Sequence, residues 1–269
     1  WEWVRVSASG IHAHLYSRFL SRWERRIFCL LALLQRPSAS WAACDDPPAQ
    51  RVNWLHCDKQ GADLQGADLR EAILEQANLS NAKLAGARLS GADLGSALLS
   101  RADFSGTALA GARLVSANLD RAVFTGANMS GARLDRAVLI QANLSNADLS
   151  GARLYQTNLS GANLTSASLS KANLAQADLT NTELLNANLS GAVLSRAVLE
   201  DSVLTGANLR GAKLDGANLL GVNFTDADLS EATLTDARID KAQFTNARLD
   251  STIWVDRKRC RPGSIGECR

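Results

Sequence analysis

The sequence predicts an all-β solenoid, a chain wound into stacked coils around one narrow core. Every fifth residue from Leu64 to Leu249 is Leu in 32 of 38 cases. Two positions earlier, from Ala62 to Ala247, 33 of 38 residues are Ala. A period of five matches neither the 3.6 residues of a helical turn nor the alternation of a flat strand. The chain must therefore turn a corner every five residues to bury both series.

The exceptions within the two series support a close-packed interior. Large apolar residues replace Leu, and only small residues replace Ala, as a narrow interior requires. In the Leu series the exceptions are Phe104, Phe124, Met129, Phe224, Ile239 and Phe244, and in the Ala series they are Thr107, Thr157, Thr182, Ser202 and Val222.

Composition excludes several classes of function. The 269 residues carry a formal net charge of only +2, which is atypical of a strongly basic nucleic-acid binder or an acidic disordered tail. All His and Cys residues lie outside residues 61–253, so that stretch offers no catalytic triad and no Cys nucleophile. Acidic residues such as Asp63 and Asp68 sit at outward, turn-compatible positions. We therefore expect no enzyme activity, no cofactor and no metal.

The repeated unit Ala-(Asp/Asn)-Leu-X-X resembles the motif of the pentapeptide repeat family over residues 61–253. The resemblance implies a right-handed quadrilateral β-helix with four pentapeptides per coil, in which Leu64 and Ala62 and their successors point inward. It implies about nine coils, which at about 4.8 Å per coil make a rod of about 45 Å. Such a stack needs a cap at each end.

Residues 1–43 favour a signal peptide. The apolar run at 27–34 is too short to span a bilayer, follows three arginines and precedes a small-residue cleavage site near Ala42. Residues 25–28, Arg-Arg-Ile-Phe, also resemble the twin-arginine export motif. The alternative is a small amphipathic helix packed on the end of the rod. Membrane contact is expected only through this segment, if it stays uncleaved.

Four cysteines flank the repeat in two local pairs. In an exported protein they favour two disulfides, each closing a short loop at one end of the rod. Two alternatives remain open. Cys44 could be lipidated, although Trp41 stands where a lipobox has Leu, and a zinc site could form near His56, although the chain has no CxxC pair. The favoured pairs are Cys44 with Cys57, and Cys260 with Cys268.

The predicted caps are residues 44–60 and 254–269. The second resembles the W-x-D…C-x-x-G-S-I-G-x-C ending of many bacterial pentapeptide repeat proteins. Trp254 falls in phase with the Leu series and is expected to cover the last coil, as Trp54 is at the first. The nearby basic cluster is either a solvated loop or a contact for an anion or phospholipid headgroup. Its members are Arg257, Lys258, Arg259 and Arg261.

Four pentapeptides per coil place residues 20 apart directly over one another. Arg113, Arg133 and Arg153 should then stack on one side of the rod, in a series that Asp93 begins, and Arg101 should stack on Arg121 at a corner. Like charges at this spacing repel modestly unless an anion bridges them. The arginines therefore mark a possible surface for an acidic partner, the alternative being simple solvation.

Two functions fit these features. The first is a noncatalytic bacterial scaffold that is exported to the periplasm or out of the cell and binds an unidentified protein through its outer sides. The alternative is the family's cytoplasmic DNA mimic, which binds DNA gyrase and protects it from inhibitors. That branch relies on an acidic rod, whereas residues 61–250 carry 20 acidic and 16 basic residues, a net of −4. Direct binding of DNA is not expected.

Overall fold

The computed structural model describes residues 43–269. The signal peptide and twin-arginine predictions concern residues that lie outside this part of the chain. Between residues 43 and 269 the chain forms no helix, and each side of the coil contributes a single bridge residue in place of a longer strand. None of these residues belongs to a helix long and apolar enough to cross a membrane.

Parallel bridges join residues 20 apart, which confirms four pentapeptides per coil. Ten successive bridges connect Asn53 to Ile253 along one side of the coil. The coil begins earlier than predicted, because residues 51–60 are already in register with the coil above them. The whole stack therefore has about ten coils over residues 51–255, where about nine were predicted. Residues 51–60 belong to the first of these coils and not to a separate cap.

Hydrogen bonds between coils engage most of the backbone. In the pentapeptide 143–147, Leu144 N–H donates to the carbonyl of Asn163 in the next coil (2.7 Å), and Asn143 N–H donates to the carbonyl of Ala122 in the preceding one (2.9 Å). A third N–H, of residue 146, also bonds to the next coil, and a fourth, of residue 147, closes the corner turn. Only the N–H after the Leu lacks a backbone acceptor.

Every corner places a residue in the left-handed region of backbone space. Positive φ recurs at each fifth residue from Arg51 to Ser251, and the same corner closes a turn between residues three apart. Positive φ at the third position of such a turn is typical of type II turns, which favour glycine there. Gly126 has φ of 65° and Ser166 has φ of 57°. The corner geometry is thus fixed by the coil, and non-glycine residues accept its strain.

The Leu and Ala series fill the interior. Residues of both series are buried throughout the middle of the coil, and Phe104 stacks on Phe124 with ring centroids 4.7 Å apart. Hydroxyl groups within the Ala series do not stay unpaired. Thr107 donates to the carbonyl of Leu84 (2.9 Å), and Ser202 donates to that of Leu199 (2.7 Å). These bonds remove the cost of burying a hydroxyl.

A disulfide and a tryptophan occupy the N-terminal end of the coil. Cys44 is bonded to Cys57, one of the two pairings that the sequence favoured. Trp54 is fully buried, and its indole N–H donates to the carbonyl of Asp46 (3.2 Å). The ammonium of Lys59, which stands where later coils have Leu, lies 4.3 Å from the centroid of the Trp54 ring.

The C-terminal segment folds back along the last coil. Antiparallel bridges join Arg248 to Ile265 and Ile253 to Arg259, and the disulfide between Cys260 and Cys268 closes this return. Trp254 is half-buried and packs against the ring of Phe244, with centroids 5.2 Å apart. The return strand thus pairs with two sides of the final coil, as a cap must. Its aromatic contact closes part of the core.

Replacing Leu144 by Asp should disrupt the middle of the stack. Leu144 has no exposed surface, and a buried carboxylate without a partner costs several kcal/mol. We expect loss of cooperative folding or a steep fall in melting temperature, measured by circular dichroism. Leu144→Met conserves volume and should cost less than about 1.5 kcal/mol. A Leu144→Asp variant with the same melting temperature as the wild type would contradict the placement of Leu144 in the interior.

The corner strain can be tested with a matched pair. Gly126→Ala introduces a Cβ that meets no atom within 4 Å, so its cost comes only from the left-handed backbone. We expect this change to lower the free energy of unfolding by about 1 kcal/mol. Ser166→Gly should not lower the free energy of unfolding. Glycine relieves the strain of the left-handed backbone at this corner, and this gain offsets the larger conformational entropy that glycine gives the unfolded chain. Urea unfolding measures both, and equal effects would refute this account.

Candidate protein-binding surface

The predicted arginine series lies on one side of the coil. Bridges join Arg113 to Arg133 and Arg133 to Arg153, and the same series continues to Asp93 on one flank and Asn173 on the other. We call these three arginines the arginine column. Each occupies the outward position directly before an inward Leu, where Asp or Asn stands in 18 of the 38 repeats. The coil register therefore brings together three cations that are far apart in sequence.

Asp and Asn at this outward position form a local hydrogen bond with the backbone. Their side-chain oxygen accepts the N–H two residues ahead, the group that coil stacking leaves without a backbone partner. Asp93 accepts from Gly95 N–H at 2.9 Å, and Asn173 accepts from Ala175 N–H at 3.1 Å. Arginine has no acceptor atom and cannot do the same. The arginine column thus interrupts this pattern in three successive coils.

The N–H groups beside the arginine column are consequently unpaired. Within residues 43–269, the backbone N–H groups of Val115, Asp135 and Tyr155 have no protein acceptor. All three lie at the same corner, one coil above another. The corner therefore presents backbone donors beside guanidinium groups, an arrangement that favours an anion.

The three arginines differ in how far they are neutralised. Arg113 contacts both carboxylate oxygens of Asp93, the nearer at 2.7 Å, and lies 3.8 Å from Glu75, so hydrogen bonding to Asp93 raises its pKa further. Arg153 lies 3.4 Å from the nearly buried Asp135. Arg133 forms no ion pair with any residue of the described coil. The centre of the column is thus its most available charge.

A shallow groove of about 270 Å³ runs beside the arginine column. We call it the arginine groove. Sequence reasoning predicted only Arg133 and Arg153 among its members and missed the others, Arg136 and Tyr155 included, because they stand at the corner and not in the column. Their spacing of about one coil from each other could have revealed them. Its lining residues are Val115, Arg133, Asp135, Arg136, Arg153, Tyr155 and Gln156.

Neighbouring polar groups order one rim of the groove. The Tyr155 hydroxyl donates to Oε1 of Gln176 at 3.1 Å, and Gln156 donates to the same oxygen at 3.0 Å. Arg136, like Arg133, is exposed and makes no ion pair with another residue between 43 and 269. The groove therefore combines one ordered rim with two free guanidinium groups.

The structure does not bring the other two predicted arginines into this groove. Arg101 and Arg121 stand at the next corner of the coil, and Arg121 donates from Nε to Oε1 of Gln141 at 2.9 Å. The side between the two corners carries Leu98, which is 47% exposed, and Asn118. The five predicted arginines thus form two groups that flank one side of the rod.

The carboxyl groups with a clearly shifted pKa belong to surface ion pairs. Hydrogen bonds from Arg70, at 2.7 and 2.6 Å, lower the pKa of Asp68 to about 2. Lys258 similarly lowers the pKa of Asp256 by a hydrogen bond. A catalytic acid needs the opposite shift, towards neutral pH. Between residues 43 and 269, no three His, Cys, Asp or Glu side chains are grouped to hold a metal ion.

The basic cluster of the C-terminal cap is partly neutralised. Lys258 lies 2.8 Å from Asp256, and Arg257 lies 3.0 Å from Asp236. These pairs leave Arg259 and Arg261 as the cluster's charges without an acidic partner in the described chain. The cluster therefore offers less free positive charge than its sequence indicates.

A family model described as "Pentapeptide repeats" matches the chain in overlapping copies that together span residues 62–250. No curated protein sequence matches the chain. Several solved structures are similar to it in different degrees. HetL, a pentapeptide repeat protein involved in heterocyst differentiation regulation in the cyanobacterium Nostoc sp. strain PCC 7120, is 32% identical over 78% of this chain and 94% of its own, with a TM-score of 0.34.

Two more of the similar structures come from other sources than HetL. QnrB1, a plasmid-mediated fluoroquinolone resistance protein, is 19% identical over 64% of this chain and 79% of its own, with a TM-score of 0.34. Rfr23, a pentapeptide repeat protein from the cyanobacterium Cyanothece 51142, is 39% identical over 43% of this chain and 66% of its own, with a TM-score of 0.16.

The ion pair of Asp68 predicts a pH effect of defined sign. Because its folded pKa of about 2 lies below the unfolded value of about 3.9, its contribution to stability is present above pH 4. That contribution is lost as the pH falls from about 4 to about 2. In an NMR titration of the Asp68 carboxyl, Arg70→Gln should move the midpoint up towards 3.9. Arg121→Gln, at a distant corner, serves as the control, and an unmoved midpoint in Arg70→Gln would exclude the assigned cause.

Proposed function

Because this chain belongs to the pentapeptide repeat family, we propose that it is a noncatalytic scaffold that is exported and binds a partner protein along its right-handed four-sided coil. The observation that carries this proposal is the filled interior. Leu and Ala occupy the inward positions, so substrate has no place within the coil. Charged and amide side chains point outward, where another protein can contact them.

Two features support binding and not catalysis. The coil repeats one local geometry along its whole length, which gives an extended, regular surface of the kind that solenoid proteins use for binding. The surface pKa shifts described above hold carboxyl groups ionised and basic groups protonated. Such groups form ion pairs with a partner more readily than they exchange protons with a substrate.

The two disulfides support export. Disulfides form and persist in oxidising compartments and are rare in the cytosol. Cys44 lies immediately after the predicted cleavage site near Ala42, and its sulfur is bonded to Cys57. A disulfide at this position excludes simultaneous lipidation of Cys44. We therefore favour a mature protein that begins close to Ala43 and is released from the membrane in a bacterial periplasm or outside the cell.

The alternative, a cytoplasmic DNA mimic that protects gyrase, has weaker support. A mimic of DNA needs continuous negative charge along the rod, because the double helix carries one charge per about 1.7 Å of axis. Here residues 61–250 have a net charge of only −4, and the arginine column interrupts the middle of one side. The two disulfides are also atypical of a cytosolic protein.

Export can be tested by expressing residues 1–269, behind an initiating Met, in a Gram-negative host. We expect a periplasmic product that begins near Ala43, has a mass consistent with loss of residues 1–42, and contains no free thiol. Fractionation, intact mass and thiol titration measure these properties.

Cys44→Ser is a suitable control, because it should release the thiol of Cys57 without changing the compartment. A full-length cytoplasmic product with free thiols would overturn the export proposal and make gyrase protection the next assay. Binding itself is tested by photo-crosslinking from outward positions of the coil in the periplasm. Crosslinks to a partner support the scaffold, and their absence from every side of the coil would refute it.

A further inference from the structure

We propose that the arginine groove is an anchoring site for a carboxylate side chain in an acidic segment of a partner protein. This inference rests on the proposed scaffold function and adds the chemistry of the partner and the place where it binds. Three independent features of the groove support it, namely its unpaired backbone donors, its charge and its access.

The first feature is a surplus of donors with no protein acceptor. Elsewhere in the same column, Asn53, Asp93 and Asn173 supply a side-chain acceptor to the N–H two residues ahead, whereas the residues at 73, 193, 213 and 233, like the three arginines, do not. Arginine replaces that acceptor in three successive coils and adds further donors. Within the described chain, N–H groups at residues 115, 135 and 155 then lack a partner. A carboxylate offers about four lone-pair positions and no donor, so it complements this surface.

The second feature is the charge of the groove. Its lining holds three guanidinium groups, on Arg133, Arg136 and Arg153, and one carboxylate, on Asp135, which gives a net formal charge of +2. Asp135 is only 7% exposed and lies 3.4 Å from Arg153, so its negative charge is largely balanced by that arginine. Arg133 and Arg136 remain for an incoming anion. Bidentate contacts between guanidinium and carboxylate are among the stronger surface interactions.

The third feature is access along one flank. The corner that precedes each arginine of the column is a glycine, and a Cβ built at Gly131 or Gly151 would meet no atom within 4 Å. The corner beside Arg133 and Arg153 is therefore free of side chains. An extended segment can lie along the glycine corner and direct its acidic side chains into the groove. Successive coils, about 4.8 Å apart, then offer it more than one arginine.

The size of the positive charge favours an acidic protein over a nucleic acid. Nucleic-acid sites neutralise many phosphates with many cations, whereas the groove is short and has Asp135 in its lining. The repeat as a whole, with the groove included, has a net charge of −4 at residues 61–250, which would repel a long polyanion. A few carboxylates on a protein segment suit a local charge of +2.

The test uses the full mature chain and a fluorescein-labelled octaglutamate peptide, with binding followed by fluorescence anisotropy at low ionic strength. Arg133→Asn and Arg153→Asn both place the commonest residue of this repeat position in the column. Arg133→Asn should fold with an unchanged or higher melting temperature, whereas Arg153→Asn also removes the ion pair with the nearly buried Asp135 and should melt at a lower temperature. We expect each to weaken binding of the peptide about tenfold. Arg88→Asn makes the same change at the same repeat position on another side of the coil, and should leave binding unchanged.

Amide resonances give a second readout. Binding of octaglutamate should shift the N–H signals of Val115, Asp135 and Tyr155 and slow their hydrogen exchange, an effect that a general charge attraction would not produce. Equal losses in Arg88→Asn and Arg133→Asn would overturn the groove assignment, as would absence of peptide binding. Tighter binding of an oligothymidylate than of octaglutamate would overturn the choice of an acidic protein.

Failure of this inference can be distinguished from failure of the scaffold function. If octaglutamate does not bind but periplasmic crosslinks form on another side of the coil, the groove assignment is wrong and the scaffold stands. If crosslinks form on no side of the coil, the scaffold function is refuted. Crosslinks from Gln156 that disappear in Arg133→Asn would support both proposals.

Discussion

Hydrogen bonding between coils is the constraint on which the rest of this structure depends. From Leu64 to Leu234, the N–H of each inward Leu donates to a carbonyl 19 residues ahead, as Leu144 does to Asn163 at 2.7 Å. This bond closes only when each side has five residues and each coil has 20. One inserted residue would move the next Leu out of the interior and break the stack beyond it. The unbroken phase of the sequence is thus a direct consequence of backbone geometry.

The same constraint determines which residues the interior and corners accept. Four sides converge on a narrow axis, so each large Leu must stand beside a small Ala. A Thr or Ser fits the Ala position because its hydroxyl reaches a Leu carbonyl, as Thr157 reaches Leu134 at 2.7 Å. Corners require positive φ, and Gln and Lys adopt it at positions such as Gln141 and Lys171. The coil tolerates this strain because stacking on both sides fixes the corner.

Periodicity alone predicted a chain that turns a corner every five residues and buries Leu64 and its successors, and the resemblance to the pentapeptide repeat family added the four sides of each coil. The limits of the coil could not be predicted in the same way. Residues 51–60 lack the Ala and Leu signature because the first coil places Cys57, Trp54 and Lys59 at inward positions. The arginine column followed from the spacing of 20, whereas the arginine groove did not. Arg136 and Tyr155 join it across a corner, and whether an arginine is neutralised depends on side-chain directions that spacing does not specify.

Some residues that depart from the repeat motif are better explained by binding than by stability of the coil. Asp or Asn before the inward Leu satisfies a backbone N–H and thereby contributes to stability, on the order of 1 kcal/mol for each hydrogen bond. A column of three arginines gives up that contribution in three adjacent coils and places cations beside the unpaired N–H groups. Arg113 and Arg153 form ion pairs with Asp93 and Asp135. Arg133 forms none within the described chain, so stability of the coil offers no reason for arginine at that position, where Asn would serve better. Binding of an anion offers one, since the ligand would return the missing acceptors.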